Sequence, residues 1–244
     1  MAYLPSRKRK RMPGGINRKT RNQIRENELH LRKNLRQKRI ATLLEGRAAK
    51  LYGELPFHNW NHARSRMKKG MAIARQCVRE GIRVNLEVVK WALLFHDAGY
   101  HHDHRKIGYP TKEAHSAALA RKEMERLNMD PMLIRDVEKA ILSTHRDAPF
   151  QTVEEKIVRA ADLAGMAGPY SAFLRDNRLL KKEQELMHGN SISWEEWKKQ
   201  SEEIIGFYLS QNIQVTTQYR DAAGKSVFHT RVRDNLARMM REQG

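Results

Sequence analysis

Apolar side chains recur at helical spacing from Ile40 to about Leu209, and short segments with proline or glycine interrupt the pattern. Segment 88–95 is apolar on nearly all sides, which is typical of the central helix of a bundle. Near the C-terminus, the β-branched segments 213–219 and 226–230 flank a turn that contains glycine. We therefore expect an all-α helical bundle with a small β-hairpin before its last helix.

The first 39 residues are far more polar than the rest of the chain. Positions 1–50 hold 16 basic and 3 acidic residues, so most of the formal net charge of +19 lies at this end. This pattern predicts two regions, a basic and partly flexible extension at 1–39 and a helical domain at 40–244. Residues 7–39 could contact the phosphates of a nucleic acid, although a solubilising tail explains the same charge more simply.

The chain has a single cysteine, Cys77, which excludes an internal disulfide and a zinc site made of several thiolates. One cysteine fits a reducing compartment, and we expect the protein to be cytoplasmic. No apolar run approaches the ~18 to 20 residues that span a bilayer, and no apolar segment follows the basic N-terminus as it does in a signal peptide. We therefore expect no membrane partner.

Several histidine and aspartate residues extend the apolar faces of predicted helices. His96 and Asp97 follow the most apolar segment directly, and His145 and Asp162 each lie four residues after an inward apolar position. A lone inward histidine is more often a hydrogen-bonded core residue than a ligand. Several such groups together would each cost several kcal/mol if unpaired, and a shared cation removes that cost. The candidate metal ligands are His62, His96, Asp97, His115, His145 and Asp162.

The order of these residues resembles the H…HD…D signature of the HD-domain superfamily of metal-dependent phosphohydrolases, an all-helical fold. The resemblance covers about residues 40 to 210 and is carried by four short segments on predicted helices. These segments are Phe57-His58-Asn59 with His62, Leu93 to Tyr100, Ser143-Thr144-His145 and Ala161-Asp162-Leu163.

The resemblance implies a metal centre. Members with one metal use two histidines and two aspartates, which here are His62, His96, Asp97 and Asp162. Members with two metals add histidines between the central pair and the last aspartate, where this chain has His115 and His145. We favour two divalent ions bridged by Asp97. The mixed ligands suit Fe, Mn, Co, Ni or Zn without choosing among them.

The same resemblance implies hydrolysis of a phosphoester or phosphoanhydride by metal-bound hydroxide. We expect a phosphorylated small molecule, in particular a nucleotide, as substrate. His58, Lys112 and Arg146 are candidate substrate contacts, although Lys112 and Arg146 could equally be solvated charges. His101, in a loop next to the central pair, is a candidate catalytic proton donor along with Asp97 as a catalytic ligand.

Two other functions fit the sequence. HD folds also serve as nucleases, and the basic extension could hold a nucleic acid for cleavage. Alternatively, the chain could be a nucleic-acid-associated or ribosome-associated binding protein whose helical domain is only a scaffold. Gly108-Tyr109-Pro110 matches a short element of superfamily members that hydrolyse cyclic dinucleotides, but three residues are too few to assign that specificity.

Overall fold

The computed structural model describes residues 18–211, 213, 215–216 and 220–242. The chain divides into two compact units, Met1–Leu43 and Leu44–Gly244. The expected division into 1–39 and 40–244 stays a prediction.

No helix in the described part of the chain is long and apolar enough to cross a bilayer. The described helices are α1 (Arg18–Ala49), α2 (Trp60–Arg79), α3 (Leu86–Phe95), α4 (Lys112–Glu125), α5 (Pro131–Leu142), α6 (Val153–Leu163), α7 (Tyr170–His188), α8 (Trp194–Leu209) and α9 (Val227–Met240), with a 3-10 helix at Ala164–Ala167.

Most of these helices begin at a polar side chain that accepts hydrogen bonds from N–H groups of the first turn. Asn59 does this for α2 and Asn85 for α3. Before α6, the Thr152 hydroxyl accepts from the N–H of Glu155 at 3.2 Å, and the Glu155 carboxylate accepts from the N–H of Thr152 at 3.3 Å. Each such cap stabilises a helix by about 1 kcal/mol, so the local sequence sets where these helices start.

Helix α3 is the centre of the second unit. Its side chains from residue 88 to 95 are buried except for Lys90, as the apolar pattern predicts. Helices α2, α4, α5 and α6 all pack against it. The end of α3 therefore lies where several helices converge, and a polar residue placed there faces the interior.

Helices α7, α8 and α9 form a second apolar cluster. Phe173 from α7, Ile205 from α8, and Val232 and Met239 from α9 are its buried members. Residues of the 3-10 helix pack against them. The described residues thus form an all-α structure in which no strand occurs, which confirms the expected fold class.

The predicted hairpin is corrected by the structure. Segment 226–230 is not a strand, because Ser226 caps α9 and residues 227–230 form its first turn. A single antiparallel bridge joins Arg220 and Ser226. Residues 214 and 217–219 of the other predicted strand lie outside the described residues. The helix forms because Val232 and Met239, at helical spacing, bury one face of α9.

Candidate metal centre

His62 lies in the first turn of α2, and the cap of that helix fixes its backbone. The side-chain oxygen of Asn59 accepts hydrogen bonds from the N–H groups of Asn61 at 3.0 Å and His62 at 3.2 Å. The His62 side chain is buried, and in the described part of the chain its Nε2 atom has no hydrogen-bond partner. The first turn of α2 therefore places the His62 Nε2 atom in the interior, where it is available as a ligand.

His96 and Asp97 follow the last residue of α3. His96 is 1% exposed, and its Nδ1–H donates to the carbonyl of Leu93 at 2.9 Å. This bond keeps a proton on Nδ1, so Nε2 is the atom that would bind a metal once it has lost its own proton. Proteins commonly fix the tautomer of a histidine ligand in this way. Asp97 is also buried, and its Oδ2 lies 2.8 Å from His96 Nε2.

Asp162, in the last turn of α6, completes a four-residue cluster with His62, His96 and Asp97. One ligand atom from each of the four residues lies within 4.8 Å of the others. His62 Nε2 is 3.5 Å from Asp97 Oδ2, and His96 Nε2 is 3.3 Å from Asp162 Oδ1. Atoms about 2.1 Å from a common ion lie about 3 to 3.5 Å apart, so these spacings suit one divalent cation.

Unsatisfied polar atoms support the same conclusion. His62 Nε2, His96 Nε2 and Asp97 Oδ2 are buried, and none of them forms a hydrogen bond of normal geometry among the described residues, although His96 Nε2 and Asp97 Oδ2 lie 2.8 Å apart as an ion pair. Buried polar atoms without partners are costly and rare in folded proteins. Two imidazoles and two carboxylates form a ligand set typical of Zn, Mn, Fe, Co or Ni, so the residues present fit a bound metal.

The two histidines of the cluster differ in charge. Burial lowers the pKa of His62 to about 4, so its ring is neutral at pH 7. Burial also disfavours the charged form of His96, but the negative charges of Asp97 and Asp162 outweigh it and raise the pKa of His96 to about 10. Burial opposes ionisation of Asp97 and Asp162 as well, yet the neighbouring histidines lower the pKa of both carboxyl groups.

The cluster forms part of the wall of a cavity of about 610 Å³, a size that accommodates a small molecule. His62, Asp97 and Asp162 line it. Helices α7 and α8 also line it, with both apolar and polar side chains. These include Phe173, Asn177, Leu180, Gln184, Trp197, Ser201, Ile205 and Tyr208.

His58 lines the cavity beside the cluster, and Glu183 of α7 holds it in place. Glu183 is fully buried, and its carboxylate accepts hydrogen bonds from the backbone N–H groups of Phe57 at 2.9 Å and His58 at 2.8 Å. It also bonds the Nδ1 atom of His58, while the opposite ring atom, Nε2, lies 4.0 Å from Asp97 Oδ2. Burial would raise the pKa of Glu183, but the bonds from His58 outweigh it and lower that pKa.

Glu183 is a site residue that the sequence analysis missed. It lies in a run of charged and polar residues, 181–185, that is typical of a solvated helix face. A partial signal was available, because Glu183 follows the apolar residue Leu180 by three positions and so lies on the same helix face; in the structure Leu180 lines the cavity. The face of α7 that carries Leu180 and Glu183 is therefore turned toward the cavity.

The predicted substrate contacts Lys112 and Arg146 also line the cavity. The Lys112 ammonium lies 4.0 Å from the centre of the Tyr100 ring and 4.0 Å from Glu113 Oε1. Burial disfavours its charge, but Tyr100, Asp97 and Glu113 outweigh that effect and raise the pKa of Lys112. Arg146 is exposed and packs over the ring of Phe207 at 4.5 Å. Lys112 is therefore the more enclosed of the two cations.

The remaining predicted residues lie outside the four-residue cluster. His145 lines the cavity, whereas His115 and His101 do not. His115 is buried, and its ring packs so closely on Gly99 that a Cβ atom there would overlap it. His101 is exposed, and its ring packs against His102, 3.8 Å away between centres. The positions of His115 and His145 do not test whether a second metal ion binds, so the second ion stays a prediction.

Comparisons with known proteins agree with this geometry. Residues 60–166 match the family model of the HD domain, and this range includes all four residues of the cluster. A search of curated proteins found no match. HD domains are commonly metal-dependent hydrolases that act on phosphate compounds. The four cluster residues occur in the order of the HD signature, and they converge at the end of α3. Together with the family match, this identifies residues 60–166 as an HD domain.

Proposed function

We propose that this protein is a metal-dependent phosphohydrolase that cleaves a phosphoester or phosphoanhydride bond in a nucleotide-like small molecule. One observation carries the proposal. The cluster of His62, His96, Asp97 and Asp162 has buried atoms without partners, and it borders a cavity of about 610 Å³. A cavity of this size suits a nucleotide better than a polymer.

Different residues of the chain have different roles in the proposed hydrolysis. The two histidines and two aspartates would hold the ion, which would supply a water of lowered pKa and would neutralise phosphoryl oxygens. Lys112, which keeps its positive charge and also lines the cavity, binds and orients the phosphate. Arg146 at the exposed edge guides anions toward it. His115 and His145 remain our proposed ligands of a second ion.

His58 is the proton donor that the geometry favours. When the bond between phosphorus and the leaving oxygen breaks, that oxygen needs a proton. The Nδ1 side of the His58 ring is bonded to Glu183, so Nε2, which faces the cluster, is the atom that exchanges a proton. His101, the donor expected from the sequence, does not line the cavity, and we therefore give this role to His58.

The test is hydrolysis of a panel of nucleotides and generic phosphodiesters by the full chain supplied with Mn²⁺ or Fe²⁺. We expect metal-dependent release of product, and we expect Asp97→Asn to lower kcat/KM by at least about a hundredfold, because the variant loses a ligand charge. Asp103→Asn is the matched control, since Asp103 is exposed in a neighbouring loop. If the protein turned over none of these compounds in the presence of the metal, that result would contradict the proposal.

The role of Glu183 gives a second test of the mechanism. In Glu183→Gln, the amide oxygen still accepts the backbone N–H groups, but the amide nitrogen cannot accept from His58 Nδ1. We expect kcat to fall about tenfold to a hundredfold while KM changes less than about threefold. An unchanged kcat would remove the pair from the mechanism.

The nuclease alternative is tested with the same preparation. RNA or DNA cleaved faster than any nucleotide would favour a polymer substrate, and strong salt dependence would implicate residues 7–39. We also propose a reducing compartment such as the cytoplasm, because Cys77 is the only cysteine of the chain.

A further inference from the structure

A second cation of the cavity is not explained by the metal centre. Arg66 lies on α2, four residues after His62, and lines the cavity. Its side chain is largely buried, with the residue 9% exposed. The guanidinium packs against Gly165 of the 3-10 helix, where a Cβ atom would lie 2.5 Å from Nη2 and 2.8 Å from Nη1. Only glycine leaves room for the guanidinium at this place.

The Arg66 guanidinium lacks the partners that a buried charge normally has. Among the described residues, its Nε atom has no hydrogen-bond partner, and no carboxylate forms an ion pair with the guanidinium. Its contact with the Phe57 ring is distant, at 6.0 Å from the ring centre. A guanidinium offers five N–H donors, and leaving a buried one unpaired costs several kcal/mol.

A second buried arginine shows what a structural role looks like in this fold. Arg159 is fully buried, and its guanidinium donates to the carbonyls of Ser143 and His145 and to the side-chain oxygen of Gln211. It holds the loop after α5 in place. Arg66 makes no comparable bonds among the described residues, so its position is not explained by the stability of the fold.

We propose that Arg66 forms a second anion-binding subsite, which takes a phosphate next to the one that is cleaved. This inference rests on the proposed function and names its substrate class, a nucleotide with at least two adjacent phosphates. A divalent ion in the cluster balances the charges of Asp97 and Asp162, so the Arg66 charge remains for a ligand. Positions four apart on a helix are separated by about 6 Å along its axis, which places the subsite beside the metal centre.

Paired probes that differ by one phosphate test the proposal. The full chain, loaded with Mn²⁺, is titrated with adenosine monophosphate and adenosine diphosphate at fixed ionic strength, and binding is measured by calorimetry. We expect the diphosphate to bind more tightly. Arg66→Gln should weaken the diphosphate about tenfold to a hundredfold, because charge-assisted hydrogen bonds are lost, and should change the monophosphate less than about threefold. Where turnover occurs, KM gives the same comparison.

Matched variants separate this subsite from general charge effects. Arg64→Gln removes the same charge from an exposed position of the same helix and should change neither affinity. Gly165→Ala keeps the charge but displaces the guanidinium, so it should weaken the diphosphate as Arg66→Gln does. Gly206→Ala, where an added Cβ meets nothing within 4 Å, is its control. Arg66→Lys should recover part of the lost affinity.

Stability distinguishes a binding role from a structural one. Because Arg66 is unpaired, Arg66→Met should leave the thermal unfolding midpoint unchanged or raise it. A clear fall in this midpoint would overturn the proposal. Equal weakening of both nucleotides by Arg66→Gln, or a wild-type protein that binds the diphosphate no more tightly than the monophosphate, would also overturn it. These binding results stand even if the protein hydrolyses neither nucleotide, so failure of the proposed activity is seen separately.

Discussion

Binding of a metal ion to the four-residue cluster should release one proton. In the metal-free protein the pKa of His96 is about 10 and that of His62 is about 4. At pH 6, His96 therefore carries its extra proton almost completely, whereas about 1% of His62 is protonated. A metal needs the neutral ring of each, so binding displaces about one proton, and it comes from His96.

The sign of the pH dependence follows from the same values. Because His96 must lose a proton, the affinity for the ion should rise about tenfold per pH unit between pH 5 and 9. The rise should stop as the pH passes the His96 value of about 10. Below the His62 value of about 4, a second proton should be released as well.

Calorimetry at pH 6 in two buffers with different ionisation enthalpies counts the protons. Mn²⁺ suits this measurement, because it binds stray imidazoles more weakly than the later divalent metals do. His188→Asn, which removes an exposed imidazole from α7, should release the same proton. His96→Asn should bind more weakly and release about none. Wild-type protein that releases no proton at pH 6, or binds equally well at pH 6 and 8, would refute the reasoning.

Three further predictions concern stability. Arg159→Met should lower the free energy of unfolding in urea by about 2 to 5 kcal/mol, because the buried carbonyls of Ser143 and His145 lose their donor; a loss under about 1 kcal/mol would contradict it. Thr152→Ala should cost about 1 kcal/mol in the same assay through its capping box, and an unchanged midpoint would disprove this. Mn²⁺ at a hundred times its Kd should stabilise the wild type by about 2.7 kcal/mol, and Asp97→Asn should lose most of this gain; equal gains would show that the ion binds elsewhere.

The helical fold and the metal cluster could be predicted because both leave local marks in the sequence. Apart from Lys90, the run from Val88 to Phe95 is apolar, and the structure buries it at the centre of the bundle. His96 and Asp97 follow that run directly, so their inward position needs no long-range information. The order of the four cluster residues then resembles a known signature, and the structure brings them together.

Other features depend on packing that the sequence does not display. Segment 226–230 is rich in residues that favour strands, but burial of Val232 by the neighbouring helices makes it part of a helix. Glu183 looks like one more solvated charge until α7 is placed beside His58. Arg66 is one of 47 Lys and Arg residues, and only its burial against Gly165 distinguishes it.

The bond between Glu183 and the segment before α2 has a consequence for how much of the chain is needed. The region that matches the HD domain ends at residue 166, before α7 begins. A protein shortened to that region would keep all four cluster residues but would lose both His58 and the Glu183 carboxylate that orients it. If His58 and Glu183 act as proposed, hydrolysis needs the segment before α2 and helix α7 in addition to the matched region.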